Sequence, residues 1–173
     1  MSVEALTAWV LLWMTRLLTP ALAHDYCPAD KTEHHWAESY PVTAAAIADA
    51  SFRAPLFQGE NGARRTAAML TAWAFHESRF DPRAVGGIGE LGLFQIHPPT
   101  VPGVSKEELF DPAHAAPVAR DLFHRSFRIC AAFPLEERGG WFAAGGEGCK
   151  EAGRRKSRVR MMLAMRISKE DNP

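Results

Sequence analysis

Glu77 is the residue of this sequence best placed for acid–base chemistry. It ends an apolar stretch that contains Trp73 and Phe75, Phe80 follows it, and a glycine-rich segment occupies residues 86–92. Burial among aromatic side chains raises the pKa of a carboxyl group because it disfavours the charged form, and the negative end of a helix acts in the same direction. We therefore predict that Glu77 is protonated near neutral pH, as a general acid must be.

Other catalytic and metal motifs do not fit this segment. His76 and Glu77 begin like the zinc-protease sequence H-E-x-x-H, but Phe80 occupies the position of the second histidine. Ser78 lacks the Gly-x-Ser-x-Gly context of a serine nucleophile, and the glycines lack the Gly-Lys-Ser/Thr ending of a phosphate loop. The other histidines show no ligand spacing, so the sequence predicts neither a metal nor a cofactor.

Helices are expected to position this acid in a mainly α-helical domain. The strongest prediction covers residues 63–78, which are alanine-rich and apolar around most of the helix. Further helices are predicted over 41–52, 117–132 and 158–167, and Ser105 with Glu108 predicts a capping box. Residues 91–96 fit either a helical turn or a strand. The positions expected to face the core in the last two helices are Val118, Leu122, Phe123, Phe127, Cys130, Met161, Met162, Leu163 and Met165.

The N-terminus resembles a targeting segment. An apolar run at 5–14 precedes a small-x-small cleavage pattern at 21–23, which predicts a cleaved signal peptide over residues 1–23 and export of the protein. Glu4 and Arg16 depart from that pattern, so an uncleaved anchor and an amphipathic first helix are the alternatives. The run is short for a membrane span, and none is expected. Residues 24–35 are predicted to be a lead-in, 36–168 a single domain and 169–173 a tail.

The charge balance and the cysteines indicate which classes of partner and which disulfides are expected. Twenty basic and twenty acidic residues give a formal net charge of zero, which argues against a general nucleic-acid binder. A basic cluster lies within residues 150–166 and is interpreted as a solvated helix face, with contact to an anionic polymer as the alternative. In an exported protein Cys130 and Cys149 could form a disulfide, with Cys27 outside the pair. In the cytosol all three cysteines would be thiols.

Two motifs now point to a family. The sequences ESRFDPRA, starting at Glu77, and GELGLFQIHPPT, starting at Gly89, stand eighteen residues apart when measured from Glu77 to Gln95. They resemble the pattern E-S-x-F/W-x-P-x-A followed by G-A-x-G-L-M-Q-I-x-P-x-T of the soluble lytic transglycosylase domain, which belongs to the goose-type lysozyme superfamily. The segment LFDP at 109–112 resembles a further family segment.

The resemblance implies a lysozyme-like helical fold with a glycan-binding cleft. It also implies cleavage of the β-1,4 bond between N-acetylmuramic acid and N-acetylglucosamine in peptidoglycan, with Glu77 as acid and then base and the C6 hydroxyl of the sugar as nucleophile. Such a reaction yields a 1,6-anhydro product and needs no second carboxylate, unlike most glycosidases. Peptidoglycan strands are the expected partner and a monomer the expected state. The residues expected to bind substrate are Ser78, Gly92, Leu93, Phe94, Gln95 and Phe142.

Three departures from the family pattern keep alternatives open. Glu90 replaces an alanine and is either a tolerated loop residue or a second carboxylate that would favour hydrolysis. Gly86 stands where many members have a serine that contacts the sugar. The family motif A-Y-N-A-G, whose tyrosine contacts the acid, corresponds to WFAAG at 141–145, with Phe142 for tyrosine and Ala143 for asparagine. A muramidase-type hydrolase and a catalytically weak glycan-binding module are therefore the alternatives.

Overall fold

The computed structural model describes residues 1–19, 37–145 and 149–170, and over these residues the protein is helical without a β-strand. The lead-in at 24–35, the cleavage pattern, Cys27 and residues 171–173 lie outside the described residues. Short 3₁₀ turns at Ala37–Ser39, Pro98–Thr100 and Leu135–Glu137 connect the helices. The α-helices of the described residues are α1 (Val3–Leu17), α2 (Tyr40–Arg53), α3 (Gly62–Ser78), α4 (Lys106–Phe110), α5 (Pro112–Ile129), α6 (Gly140–Ala144) and α7 (Glu151–Lys169).

Helix α3 is the centre of the fold. It begins one residue before the predicted start, ends at the predicted Ser78, and buries the majority of its residues against α1, α2, α5 and α7. Arg79 ends it in a left-handed conformation, with φ of 56°, and its backbone N–H donates to the carbonyl of Phe75 at 3.2 Å. Residues 66–75 of α3 are all buried, which fixes the position of the last turn, where Glu77 lies.

Helix α1 packs inside the domain. It contacts α2 and α3, its Trp9 ring lies 5.0 Å from the guanidinium of Arg64, and Arg16 forms a 3.0 Å ion pair with Glu170, the residue that follows α7. Residues 3–17 therefore fold as an amphipathic helix, which was one of the alternatives to a signal peptide. Cleavage after residue 23 stays a prediction. The α1 side chains buried in the core are Leu6, Trp9, Val10, Trp13, Met14 and Leu17.

Two helices differ from their predicted bounds. Helix α5 begins at Pro112 rather than at 117, because the Asp111 carboxylate accepts from the Ala113 N–H at 3.0 Å and caps an earlier start. Helix α7 begins at Glu151 rather than at 158. The prediction that Met162 and Met165 fill the core is wrong: they are 60% and 42% exposed, since a 3.6-residue period turns positions 161, 164 and 167 inward instead.

The remaining core predictions are mostly confirmed. Met161, Leu163, Leu122, Phe123 and Cys130 are buried, whereas Val118 and Phe127 are partly buried against the core.

Local predictions in the connecting segments are largely confirmed. Ser105 and Glu108 form the capping box, with the Ser105 hydroxyl accepting from the Glu108 N–H. Residues 91–96 form a tight turn held by isolated bridges from Leu91 to Val85 and Ile96. Cys130 and Cys149 form a disulfide that joins the end of α5 to the chain before α7. None of the described helices is long and apolar enough to cross a membrane.

Candidate active site

Glu77 opens into a pocket of about 420 Å³ between the end of α3, the glycine-rich loop, α6 and α7. Its side chain is only 18% exposed. The pocket walls mix apolar and charged groups. The residues that line it are Glu77, Ile88, Glu90, Gln95, Ile96, His97, Thr100, Leu122, Trp141, Phe142, Ala143, Ala144, Gly145 and Lys156.

Arg160 of α7 is the hydrogen-bond partner of Glu77. A terminal guanidinium nitrogen of Arg160 donates to Oε1 of Glu77 at 2.7 Å, and the Arg160 side chain is only 11% exposed. The guanidinium carbon lies 5.9 Å from the centre of the Trp73 ring, one turn before Glu77 on α3. The nearly buried Arg160 therefore contacts Glu77 on the side away from the pocket, and the rest of the Glu77 carboxyl group faces the pocket.

Burial and charge act in opposite directions on Glu77. Burial is the largest influence and raises the pKa of Glu77, whereas the positive charges of Arg160 and Lys156 lower it and the negative charge of Glu90 raises it again. Burial prevails, so the pKa of Glu77 lies above its ordinary value. The predicted direction of the pKa shift and the effect of burial are confirmed, whereas the effect of the helix end stays a prediction. The opposing cations were missed because they come from a helix more than 75 residues away in the chain.

Helix α7 is anchored so that it can present Arg160. Ser157, fully buried one turn before Arg160, accepts the backbone N–H of Gly139 at 3.0 Å and donates to the carbonyl of Glu136 at 2.7 Å. Glu137 pairs with the guanidinium groups of both Arg154 and Arg158. These contacts join α7 to the 3₁₀ turn before α6. The cluster predicted as a solvated helix face is therefore partly structural.

The glycine-rich loop is pressed against α4. Gly92 has φ of 72°, and a Cβ built on it would lie 2.0 Å from the backbone carbonyl oxygen of Leu109. Such a contact excludes every side chain larger than hydrogen. Ser78 reinforces the junction, because its hydroxyl donates to the carbonyl of Leu93 at 2.8 Å. Ser78 thus joins the end of α3 to the loop, and Gly92 lets the loop pack closely on α4.

The predicted substrate-binding residues of this segment fall into two groups. Leu93 and Phe94 are fully buried, so their side chains support the pocket from the core and present no surface to a ligand. Gln95 lines the pocket. Its side-chain amide nitrogen donates to the carbonyls of Ala84 and Gly92, at 3.2 and 3.0 Å, and its backbone is left-handed, with φ of 47°. Of these three residues, only Gln95 presents its side chain to a bound molecule.

Glu90 occupies the space beside Gly86. A Cβ built on Gly86 would lie 2.4 Å from Oε2 of Glu90 and 2.6 Å from Oε1 of Gln95. Two of the departures from the family pattern are thus linked: the larger residue at position 90 fills the volume that a side chain at position 86 would need. The Glu90 carboxylate also accepts from the Ile88 N–H at 3.2 Å and lines the same pocket as Glu77.

The opposite wall is aromatic. Phe142 stacks on Phe123, with ring centres 4.2 Å apart, and its backbone N–H donates to the hydroxyl of Ser126 at 3.1 Å. Trp141 is 7% exposed and lies 4.6 Å from the guanidinium of Arg125. Both aromatic residues line the pocket, but Phe142 has no hydroxyl to offer Glu77. This wall is suited to an apolar face of a ligand, such as that of a sugar ring.

The described residues contain no cluster of three or more His, Cys, Asp or Glu side chains that could hold a metal ion. The family model described as the transglycosylase SLT domain matches residues 56–146, which span α3, the glycine-rich loop, α5 and α6. No curated protein and no solved structure is significantly similar to the chain. The match covers more than half of the chain, and the protein therefore belongs to the transglycosylase SLT domain family.

Proposed function

We propose that the protein is a peptidoglycan lytic transglycosylase that cleaves the β-1,4 bond between N-acetylmuramic acid and N-acetylglucosamine. The observation that carries the proposal is Glu77, a largely buried acid that lines a pocket in an SLT domain and has a pKa raised by burial. A glycosidic oxygen needs a proton as its bond to C1 breaks, and a carboxyl group that stays protonated can supply it.

The proposed reaction has two proton transfers through Glu77. First, Glu77 gives its proton to the leaving oxygen while the bond between that oxygen and C1 of the muramic acid breaks. The resulting carboxylate then takes the proton of the C6 hydroxyl, whose oxygen bonds to C1 and closes the 1,6-anhydro ring. No water is consumed and the acid is regenerated. Gln95 is proposed to bind the sugar, and Phe142 and Trp141 to contact its apolar face.

Hydrolysis of the same bond is the second candidate, and Glu90 favours it. Glu90 lines the same pocket and stands close enough for its charge to raise the pKa of Glu77. A second carboxylate could activate water or stabilise the cation formed at C1. A glycan-binding module with little turnover is the third candidate, because Phe142 brings no hydroxyl to the acid.

Mass spectrometry of the fragments released from purified peptidoglycan distinguishes these candidates. We expect anhydro-muramyl fragments from the unsubstituted protein and none from Glu77→Gln, with Glu60→Gln, an exposed loop residue, as the matched control. Reducing-end fragments that disappear in Glu90→Gln would instead establish the hydrolase. If the folded unsubstituted protein and its control both release no fragments but still bind the glycan, the protein is a binding module.

Location is part of the proposal. SLT domain proteins act on peptidoglycan and are typically exported, so we propose that this protein reaches the cell wall compartment, where the Cys130–Cys149 disulfide is stable. Removal of residues 1–23 would take away α1 and uncover its partners in the core, so we propose that α1 remains in the folded protein. We further propose a monomer without a cofactor, since one chain supplies all the pocket residues named above.

A further inference from the structure

The Arg160–Glu77 pair is chemically asymmetric. Arg160 donates to Oε1, and Oε2 accepts no hydrogen bond from any residue that the structure describes. Glu77 lines the pocket, whereas Arg160 lies behind it and is nearly buried. Both Arg160 and Lys156 also lie beyond residues 56–146, so the family match assigns them no role.

A guanidinium carries only donors, so the oxygen it contacts must act as an acceptor. The carbonyl oxygen of a protonated carboxyl group is a better acceptor than its hydroxyl oxygen, so the proton of Glu77 belongs on Oε2, the oxygen without a described partner. On the proposed function, we propose that Arg160 is a positioning residue that makes Oε1 the carbonyl oxygen of Glu77 and thereby places the transferable proton on Oε2, toward the substrate.

Arg160 also affects the two proton transfers unequally. An ion pair with a carboxylate is stronger than a hydrogen bond to a neutral acid, so Arg160 stabilises Glu77 most after its proton has left. Arg160 thus makes Glu77 a stronger acid and a weaker base. Without Arg160, burial alone would hold Glu77 protonated to higher pH but would resist the charge that develops when the proton is donated.

The other charged groups around Glu77 leave this role to Arg160. Lys156 of α7 lines the pocket and acts through its charge, and Glu90 and His97 line it from the segment between α3 and the Pro98–Thr100 turn. His76, the neighbour of Glu77 on α3, is largely buried, and burial together with the charge of Arg160 lowers its pKa to about 4. His76 is therefore neutral at working pH and adds no charge beside the acid.

The pKa of Glu77 can be measured directly by following the ¹³C shift of its carboxyl carbon as pH is varied, with Glu77→Gln to assign the signal. We expect Arg160→Met and Arg160→Gln to raise that pKa by at least about one unit, since an opposite charge at this distance commonly shifts a carboxyl pKa by one to three units. Arg160→Lys keeps the charge and should shift it less. The control is Arg155→Gln on the same helix, where an exposed arginine pairs with Glu151.

Enzyme kinetics supply the second measurement. In Arg160→Met, the rate of fragment release should begin to fall at a higher pH than in the unsubstituted protein, and the maximal rate should be lower by about tenfold or more. Arg160→Lys should recover part of the maximal rate. A Glu77 pKa unchanged within a few tenths of a unit in both neutral, folded variants would overturn the inference. A shifted pKa without fragment release by the unsubstituted protein would support the Arg160–Glu77 pairing and refute the proposed reaction instead.

Discussion

Trp13 of α1 offers a direct test of whether the N-terminal helix belongs to the folded domain. Its side chain is 1% exposed, and it lies in the middle of the buried face of α1. Truncation of a fully buried tryptophan to alanine removes its apolar contacts and leaves a cavity, at a cost of about 3–5 kcal/mol. Because domains of this size are stable by only about 5–15 kcal/mol, Trp13→Ala should remove a large part of the free energy of unfolding.

Urea denaturation followed by circular dichroism measures this effect, and thermal denaturation should show a decrease in Tm on the order of 10 °C. Leu12→Ala is the matched control, since Leu12 is the preceding residue of the same helix and is 47% exposed. It should change the free energy of unfolding by no more than about 0.5 kcal/mol.

Two results would refute the reasoning. Equal stability of Trp13→Ala and Leu12→Ala would mean that α1 does not pack in the core. An intact mass that lacks residues 1–23, measured on protein recovered from the cell wall compartment of a producing cell, would mean that the segment is a removed leader.

Two further perturbations test the loop and the buried histidine. Gly92→Ala should lower the free energy of unfolding by several kcal/mol, because a Cβ at this positive φ meets a backbone carbonyl, whereas Gly87→Ala, which meets nothing within 4 Å, should be nearly neutral in urea denaturation. His76 has its pKa lowered to about 4 by burial. Its contribution to stability is therefore full above the unfolded pKa of about 6.5 and is lost as pH falls toward 4, a change of up to about 3 kcal/mol. Urea titrations from pH 7 to 4 should show a shallower loss in His76→Gln than in His124→Gln, and equal slopes would contradict this account.

Local sequence patterns predicted the helices of the central region well. Alanine-rich, apolar residues without interior glycine or proline specify α3, and a serine followed three residues later by glutamate specifies the capping box of α4. The starts of α5 and α7 were missed. Asp111 caps α5 six residues before the predicted start, and tertiary contacts with α3 and with the turn before α6 stabilise the basic first half of α7.

For the first helix, the sequence pattern alone could not decide between a signal peptide and a helix of the folded domain. An apolar run followed by small residues satisfies a signal peptide and a buried amphipathic helix equally well, because both are made of the same side chains. The packing of α1 on α2 and α3, with Arg16 paired to Glu170, supports a helix that stays in the domain, and cleavage after residue 23 stays a prediction.

The sequence by itself identified the family and the candidate acid, because Glu77, Gly92 and Gln95 stand at the separations of the family motifs. It also predicted the effect of burial on Glu77, since the aromatic residues around that acid are its neighbours in the chain. Only the tertiary structure decided which cation Glu77 contacts and which predicted ligand-binding side chains reach the pocket. Arg160 lies 83 residues from Glu77, and such a pairing depends on how α3 and α7 cross, which no local pattern records.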